Sequence, residues 1–143
     1  MSPDAPQNKP TAEHTKLKCF AAIARHHGVD LSIDRLLHDN AITEKEPSVR
    51  QLVDIAKTNH FKADSSKLNW EELPNIGAAL PIIAFIAGER AVVISGFRGE
   101  GNEGEVVILD PLADKPGFIY LKREQFCSKW SGDVMLLKRE VSL

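Results

Sequence analysis

The spacing of apolar residues changes near the middle of the chain, and this change constrains the fold more than any other feature. In the first half, apolar residues recur at helical spacing. We expect a first helix that Thr15 caps, that starts at Lys16 and that stops at Gly28. Ser32 and Ser48 each precede an amphipathic run, so two further helices are predicted to begin after them. The first half of the chain is therefore predicted to be helical.

The second half is rich in β-branched and aromatic residues in short apolar runs. It carries one predicted helical turn over residues 70–76 and one predicted helix over residues 122–130. Strands are predicted over residues 61–68, 80–87, 91–97, 105–109, 118–121 and 134–137. Helices followed by an antiparallel meander give an α+β fold, with the N-terminal helices packed on the sheet.

Composition excludes several classes of protein. A chain of 143 residues with 43% apolar and 27% charged residues is typical of one globular domain that needs no disulfide or metal to fold, and no cofactor is expected. The net charge of -2 argues against nucleic acid as a partner. The most apolar window, residues 76–88, is interrupted by Pro81 and is shorter than the roughly 18 residues of a membrane span. Two cysteines and no signal peptide indicate the cytosol.

Two further patterns invite a functional interpretation and do not support one. The glycine-rich stretch over residues 96–104 could cradle a phosphate, but its glutamates would repel an anion and it lies between two predicted strands, so a hairpin turn is favoured. The histidines lack the spacing of metal ligands, because His26 and His27 are adjacent and the others have no partner at a recognised interval. No metal site is predicted.

Five segments resemble, in this order, a known family of peptidases: CFAAIARHHGVDLSIDRLL, SVRQLVDIAKTNHFKA, LPIIAFIAGERAVVISGF, VVILDP and YLKREQFCSKW. The family is cysteine peptidase family thirty-nine, whose members process bacteriocins behind double-glycine leaders at the N-termini of ABC exporters. The resemblance covers residues 12–139 and implies a papain-like cysteine-peptidase fold for them. Residues 1–11 are then a flexible arm, and residues 140–143 the start of a linker to a transmembrane domain outside this chain.

The same resemblance implies that the catalytic residues are replaced. The nucleophile of the family stands in a pattern similar to C-G-P-x-C-L, and Cys19 aligns with its second cysteine, which puts Thr15 at the nucleophile position. The catalytic histidine opens a strand that begins with Arg90 here, and the orienting aspartate matches Asp110. The oxyanion glutamine falls near Lys9, with Gln7 close enough to leave the register open.

These replacements argue against hydrolysis. A threonine hydroxyl needs a base to become a nucleophile at neutral pH, and a guanidinium with a pKa above about 12 cannot act as that base. We expect no catalytic residue at Thr15, Arg90 or Asp110, and an ion pair between Arg90 and Asp110 in place of the histidine and aspartate pair.

The chain also resembles the degenerate peptidase-like domains of hemolysin-type type I secretion transporters. This implies a non-catalytic domain that binds an unfolded RTX toxin or adhesin at the cytoplasmic face of the bacterial inner membrane. Its other partners would be the transmembrane and nucleotide-binding domains of the transporter, which is an ATPase. Phe85 and Trp70 are the candidate substrate-binding residues, and each is equally consistent with a place in the core.

Two alternatives remain. The chain could be a cysteine peptidase that uses Cys19 with His14 or His26 to process leader peptides, or a module that docks on the nucleotide-binding domain of its transporter. The location of Cys19 tests the first alternative, because a nucleophile needs access to solvent and a histidine nitrogen within about 3 to 4 Å. On a helix, Cys19 would lie one turn after Thr15 on the same side, which favours a place in the core.

Overall fold

The computed structural model describes residues 14–42, 46–111 and 117–140. The predicted arm over residues 1–11 lies outside this part of the chain, and so do residues 141–143 of the predicted linker. Within the described residues, no helix is both long and apolar enough to cross a membrane.

The helices begin close to where the caps predict. Ser32 Oγ accepts a hydrogen bond from the backbone of the following helix, and Ser48 forms a reciprocal capping box with Gln51. One predicted cap is wrong: Thr15 is the first helical residue, and His14 precedes it with a left-handed backbone (φ 54°). The helices are α1 (Thr15–His26), α2 (Ile33–Asp39), α3 (Val49–Thr58) and α4 (Arg123–Cys127).

The α+β fold is confirmed, but its sheet is not a simple meander. The six strands lie in the order β1-β6-β2-β3-β4-β5, and every pair is antiparallel. Consecutive pairing holds from β2 to β5, whereas β6 lies between β1 and β2. The strands are β1 (Phe61–Lys67), β2 (Ile82–Ile86), β3 (Arg90–Arg98), β4 (Glu105–Leu109), β5 (Ile119–Lys122) and β6 (Trp130–Arg139).

The last helix and the last strand differ most from their predicted bounds. The helix predicted over residues 122–130 ends at Cys127, and Trp130 begins β6 instead. The rings of Phe126 and Trp130 still pack at a centroid distance of 5.0 Å, because Trp130 lies directly after the short turn that follows α4. The four-residue spacing of Phe126 and Trp130 is therefore produced by a helix, a turn and a strand, and it does not show a continuous helix.

Both faces of the central strands are buried. In β3, Ala91 and Val93 belong to a core formed with α1 and α3, while Val92 and Ile94 belong to a second core. This division follows from the alternation of side chains along a strand. The second core also contains Trp70, which lies in a 3-10 helix (Trp70–Asn75). Burial on both faces explains why β3 is apolar without a break from Ala91 to Ile94.

The glycine-rich stretch forms the β3–β4 hairpin, as predicted. Arg98 pairs with Glu105 across the hairpin, and the loop contains a short 3-10 turn (Gly101–Glu103). Gly104 allows the backbone to approach a ring closely, because a Cβ there would lie 2.5 Å from Cε1 of Phe97. That ring packs edge-on against Trp70 at 5.1 Å, so the loop is anchored to the second core.

We predict that Gly104→Ala destabilises the fold by about 1–3 kcal/mol, because the added methyl group forces Phe97 out of its place. Chemical denaturation with tryptophan fluorescence measures this change. Gly77→Ala is the matched control, since nothing lies within 4 Å of a Cβ at that position. Equal stability of the two variants would contradict the prediction.

Candidate active site

The first turn of α1 lies against the beginning of β3. Thr15 is 1% exposed, and its Oγ1 accepts a hydrogen bond of 2.8 Å from the backbone N–H of Ala91. Arg90 is the residue that precedes Ala91 and opens β3. The structure thus brings the two positions together, and the hydroxyl of Thr15 joins the helix to the sheet.

A short segment before α3 closes over the same turn. The carboxylate Oε2 of Glu46 accepts a hydrogen bond of 2.6 Å from the backbone N–H of His14, and Lys16 Nζ donates to the carbonyl of Pro47 at 3.0 Å. A carboxylate is favourable there because unpaired N–H groups and the helix dipole make a helix N-terminus positive. Lys16 is itself 5% exposed, so its ammonium group is held inside the fold.

Glu46 is a residue that the sequence analysis missed. It lies far from Thr15 in sequence and outside every motif, and only the packing of the segment before α3 on α1 brings it there. Among the described residues, Glu46 Oε1 and His14 Nδ1 are the buried side-chain atoms with no hydrogen-bond partner.

Cys19 lies one turn deeper in α1 and is inaccessible to solvent. Burial raises the pKa of the Cys19 thiol far above its ordinary value, and the negative charge of Asp110 raises this pKa further. In residues 14–42, 46–111 and 117–140, no histidine nitrogen lies within hydrogen-bond distance of its Sγ. The thiol is therefore a neutral core group in this structure, as its predicted place in the helix implies.

Arg90 and Asp110 lie at the same end of the sheet. Val93 pairs with Leu109, so the chain leaves β4 at Asp110 beside the residues that open β3. Arg90 is exposed and Asp110 is half-buried. An ion pair between them stays a prediction, and the exposure of Arg90 places it among the weaker, solvent-screened pairs.

The two predicted substrate-binding residues lie in different environments. Trp70 is 2% exposed, and its Nε1 donates to the carbonyl of Gly101 at 2.9 Å. Its side chain is part of the second core and does not offer a surface to a substrate. Phe85 is half-buried against the first core and also lines a groove of about 370 Å³ beside Trp130.

His26, His27 and Cys127 lie at the ends of helices. His26 and His27 end α1 with their rings edge to face at 5.2 Å, and burial lowers the pKa of His27, helped by His26 and Arg139. Cys127 is exposed and is the last residue of α4. The described part of the chain contains no group of three or more histidine, cysteine, aspartate or glutamate side chains that could hold a metal ion.

Known structures share this arrangement of helices and strands. The N-terminal peptidase C39-like domain of a toxin secretion ATP-binding protein from Vibrio parahaemolyticus matches with a TM-score of 0.76 at 17% identity, over 90% of this chain and 98% of the other. The peptidase domain of Streptococcus ComA, a bi-functional ABC transporter involved in a quorum-sensing pathway, matches with a TM-score of 0.73 at 22% identity, over 92% and 96% of the two chains.

A third structure is a double-glycine-motif protease from an AMS/PCAT transporter in complex with the leader peptide. It matches with a TM-score of 0.74 at 18% identity, over 92% of this chain and 88% of the other. At these identities the three structures establish the fold: helices on an antiparallel sheet, as in peptidase C39-like domains. No curated protein sequence matches the chain.

The sequence profile of the Peptidase C39 family matches residues 11–142. The chain therefore belongs to the Peptidase C39 family, as the resemblance of its five segments predicts.

We predict that Thr15→Val destabilises the protein by about 1–3 kcal/mol, because the buried N–H of Ala91 loses its acceptor. Thr15→Ser keeps the hydroxyl and is expected to retain most of the stability. Thr58→Val is the control, since the Thr58 hydroxyl bonds to the carbonyl of Asp54 on the surface. The measurement is denaturant unfolding of the unsubstituted protein and the three variants. Equal unfolding midpoints for Thr15→Val and Thr15→Ser would show that the Thr15–Ala91 hydrogen bond contributes nothing to stability.

We predict a coupling free energy of up to about 1 kcal/mol between Arg90 and Asp110, as for an exposed pair. A double-mutant cycle with Arg90→Ala and Asp110→Ala, followed by denaturant unfolding, measures it. The coupling is expected to fall with added salt. Additive effects of the two substitutions at low salt would show that the two groups do not interact.

Proposed function

We propose that this chain is a non-catalytic domain of a type I secretion ABC exporter. In this role it binds the unfolded secretion substrate, an RTX toxin or adhesin, at the cytoplasmic face of the bacterial inner membrane. The transmembrane and nucleotide-binding domains of the exporter are its other partners. The toxin secretion protein from Vibrio parahaemolyticus, which carries a similar domain, supports this assignment by its fold.

The observation that carries the proposal is the state of Thr15. An active nucleophile needs a lone pair and a base that removes its proton. Thr15 Oγ1 accepts the Ala91 N–H in a buried position. The family resemblance puts Arg90 in the place of the catalytic histidine. Cys19 does not replace the nucleophile, because burial and the charge of Asp110 keep its thiol protonated.

Binding without cleavage suits a domain tethered to a channel. A tethered site raises the local concentration of a long substrate at the entry, even when its intrinsic affinity is weak. Weak affinity also allows rapid release into the channel, since affinity differences lie mostly in the dissociation rate. An active leader peptidase is the competing function, and the two functions differ in whether a peptide bond is broken.

We predict no cleavage of a double-glycine leader peptide by the protein. Mass spectrometry of the peptide after prolonged incubation is the measurement, with an active family member as the positive control. Turnover that Cys19→Ala abolishes and Cys127→Ala preserves would contradict the proposal and identify Cys19 as a nucleophile.

We predict that the protein binds the C-terminal portion of an RTX substrate in EDTA and releases it in Ca²⁺. Calcium folds RTX repeats into a compact form and hides the extended backbone and apolar side chains that are available in the unfolded chain. We expect micromolar or weaker affinity, about -8 kcal/mol or less favourable. Calorimetric titration in the two buffers measures it. Equal binding in both, or none in either, would favour the docking module over the substrate-binding domain.

A further inference from the structure

The two edges of the sheet differ in the chemistry of their side chains. At one edge, β1 has the sequence FKADSSK. Apart from Phe61 and Ala63, its side chains are charged or hydroxylated, and they are exposed. At the other edge, β5 and the residue before it present Phe118, Ile119 and Tyr120, which are 57%, 40% and 44% exposed. Edge strands are normally protected by charged residues because an unpaired backbone edge recruits other chains. In the part of the chain that the structure describes, the β1 edge has that protection, whereas the β5 edge exposes three large apolar or aromatic side chains.

Within residues 14–42, 46–111 and 117–140, the backbone of β5 pairs with another strand on one side only. Its residues pair with β4 from Ile119 opposite Ile108 to Lys122 opposite Glu105, and β5 is the last strand in the order of the sheet. Among the described residues, no strand pairs with the outer side of β5, so its outward N–H and C=O groups can pair with a further strand. Leu121 packs inward on the second core, which fixes the strand in place.

A groove of about 1000 Å³ continues from β5 toward the β3–β4 loop and α4. We call it the β5 groove, lined by Tyr120, Lys122, Glu103, Glu105 and Glu124 among others. Arg98 lies over the Tyr120 ring at 3.8 Å and pairs with Glu105 at 2.9 Å.

The charges of the β5 groove favour a basic partner. Arg123, which also lines it, pairs with Glu71 at 2.7 Å, as Arg98 does with Glu105. Among the described residues, the carboxylates of Glu103 and Glu124 have no such partner. These two negative charges outnumber the single positive charge of Lys122, so the β5 groove is negative on balance. A second copy of this chain would bring the same excess of carboxylates to the interface. An extended segment with lysine or arginine beside apolar residues complements both the edge and the groove.

We propose that the β5 edge and the β5 groove bind an extended, basic segment of a partner polypeptide as an additional strand of the sheet. This inference rests on the proposed function, to which it adds the binding face and the chemistry of the segment. Main-chain hydrogen bonds to β5 supply affinity for any extended chain, and alternate side chains contact Phe118 and Ile119. The carboxylates of Glu103 and Glu124 select for positive charge.

The test uses two ligands on the ¹⁵N-labelled protein. One is a short peptide in which valine alternates with threonine and lysine, and the other is the calcium-free C-terminal portion of an RTX substrate. We expect both to shift the amide signals of Ile119–Lys122 and to protect part of them from hydrogen exchange. The same valine peptide with glutamate in place of lysine is expected to bind about tenfold more weakly or not at all.

Variants separate the apolar edge from the charges. Phe118→Ser with Ile119→Thr is expected to weaken binding of both ligands about tenfold or more, while Val49→Ser, which removes an exposed apolar side chain from α3, leaves it unchanged. Glu103→Gln with Glu124→Gln is expected to remove the preference for lysine over glutamate. Its control is Glu89→Gln with Glu140→Gln, which removes the same charge from other exposed positions.

The outcomes distinguish this inference from the proposed function. Binding of the RTX portion that shifts signals outside β5, or that survives Phe118→Ser with Ile119→Thr, would overturn the β5 site and leave the proposed function standing. Binding of the lysine peptide at β5 without binding of the RTX portion would support the edge and overturn the proposed function. Failure of both ligands to bind would overturn both.

Discussion

The pairing of β6 on both of its sides determines how the rest of the structure is built. β6 lies between β1 and β2, and without it β1 and the helix α3 that packs on it would have no ladder to the remaining strands. β6 also contributes to both cores, with Met135 and Leu137 in one and Trp130 and Val134 in the other. The position of β3, which receives Thr15, depends on β2 and through β2 on β6. The geometry of the candidate active site is thus set by a strand that contains none of its residues.

Much of the local structure could be predicted because local chemistry specifies it. Ser32 and Ser48 cap helices by hydrogen bonds to residues three positions away, and β4 is bounded by glycine on one side and by Asp110 and Pro111 on the other. The order of the strands could not be predicted, because pairing between β6 and β1 joins distant segments and leaves no local signal. The end of α4 was missed for a related reason: the spacing of Phe126 and Trp130 fits a helical turn and a turn into a strand equally well.

For the candidate site, the resemblance to a family supplied what periodicity could not. It assigned Thr15 and Arg90 to two positions of the family's catalytic set, and in the structure the Thr15–Ala91 hydrogen bond joins α1 to the start of β3. Glu46 carries no motif, and its role depends on how α3 approaches α1. Trp70 shows the reverse case, in which an aromatic residue that suits a binding surface is held in the core by a bond to Gly101. Residue type alone does not tell whether a tryptophan lies in the core or on a binding surface, because its indole N–H finds a hydrogen-bond partner in both places.

The electrostatics around Cys19 oppose those of a thiol protease. A catalytic cysteine is activated by a nearby positive charge that stabilises the thiolate, whereas the charge that acts on Cys19 is the carboxylate of Asp110. Lys16, three residues before Cys19, is directed at the carbonyl of Pro47. The polar groups in the first turn of α1 therefore form hydrogen bonds within the fold.

The central place of β6 has a mechanical consequence. Tension applied to the chain beyond Glu140 acts along β6, at right angles to the hydrogen bonds that join it to β1 and β2. Those bonds are loaded in shear and must break together, not one after another as at a free edge. Two ties at the same end share the load: Arg139 Nη1 donates to the carbonyl of His27, and Glu140 N donates to that of His60. A pull from this end is resisted by the whole sheet, while a pull on β5 would peel a short edge strand bond by bond.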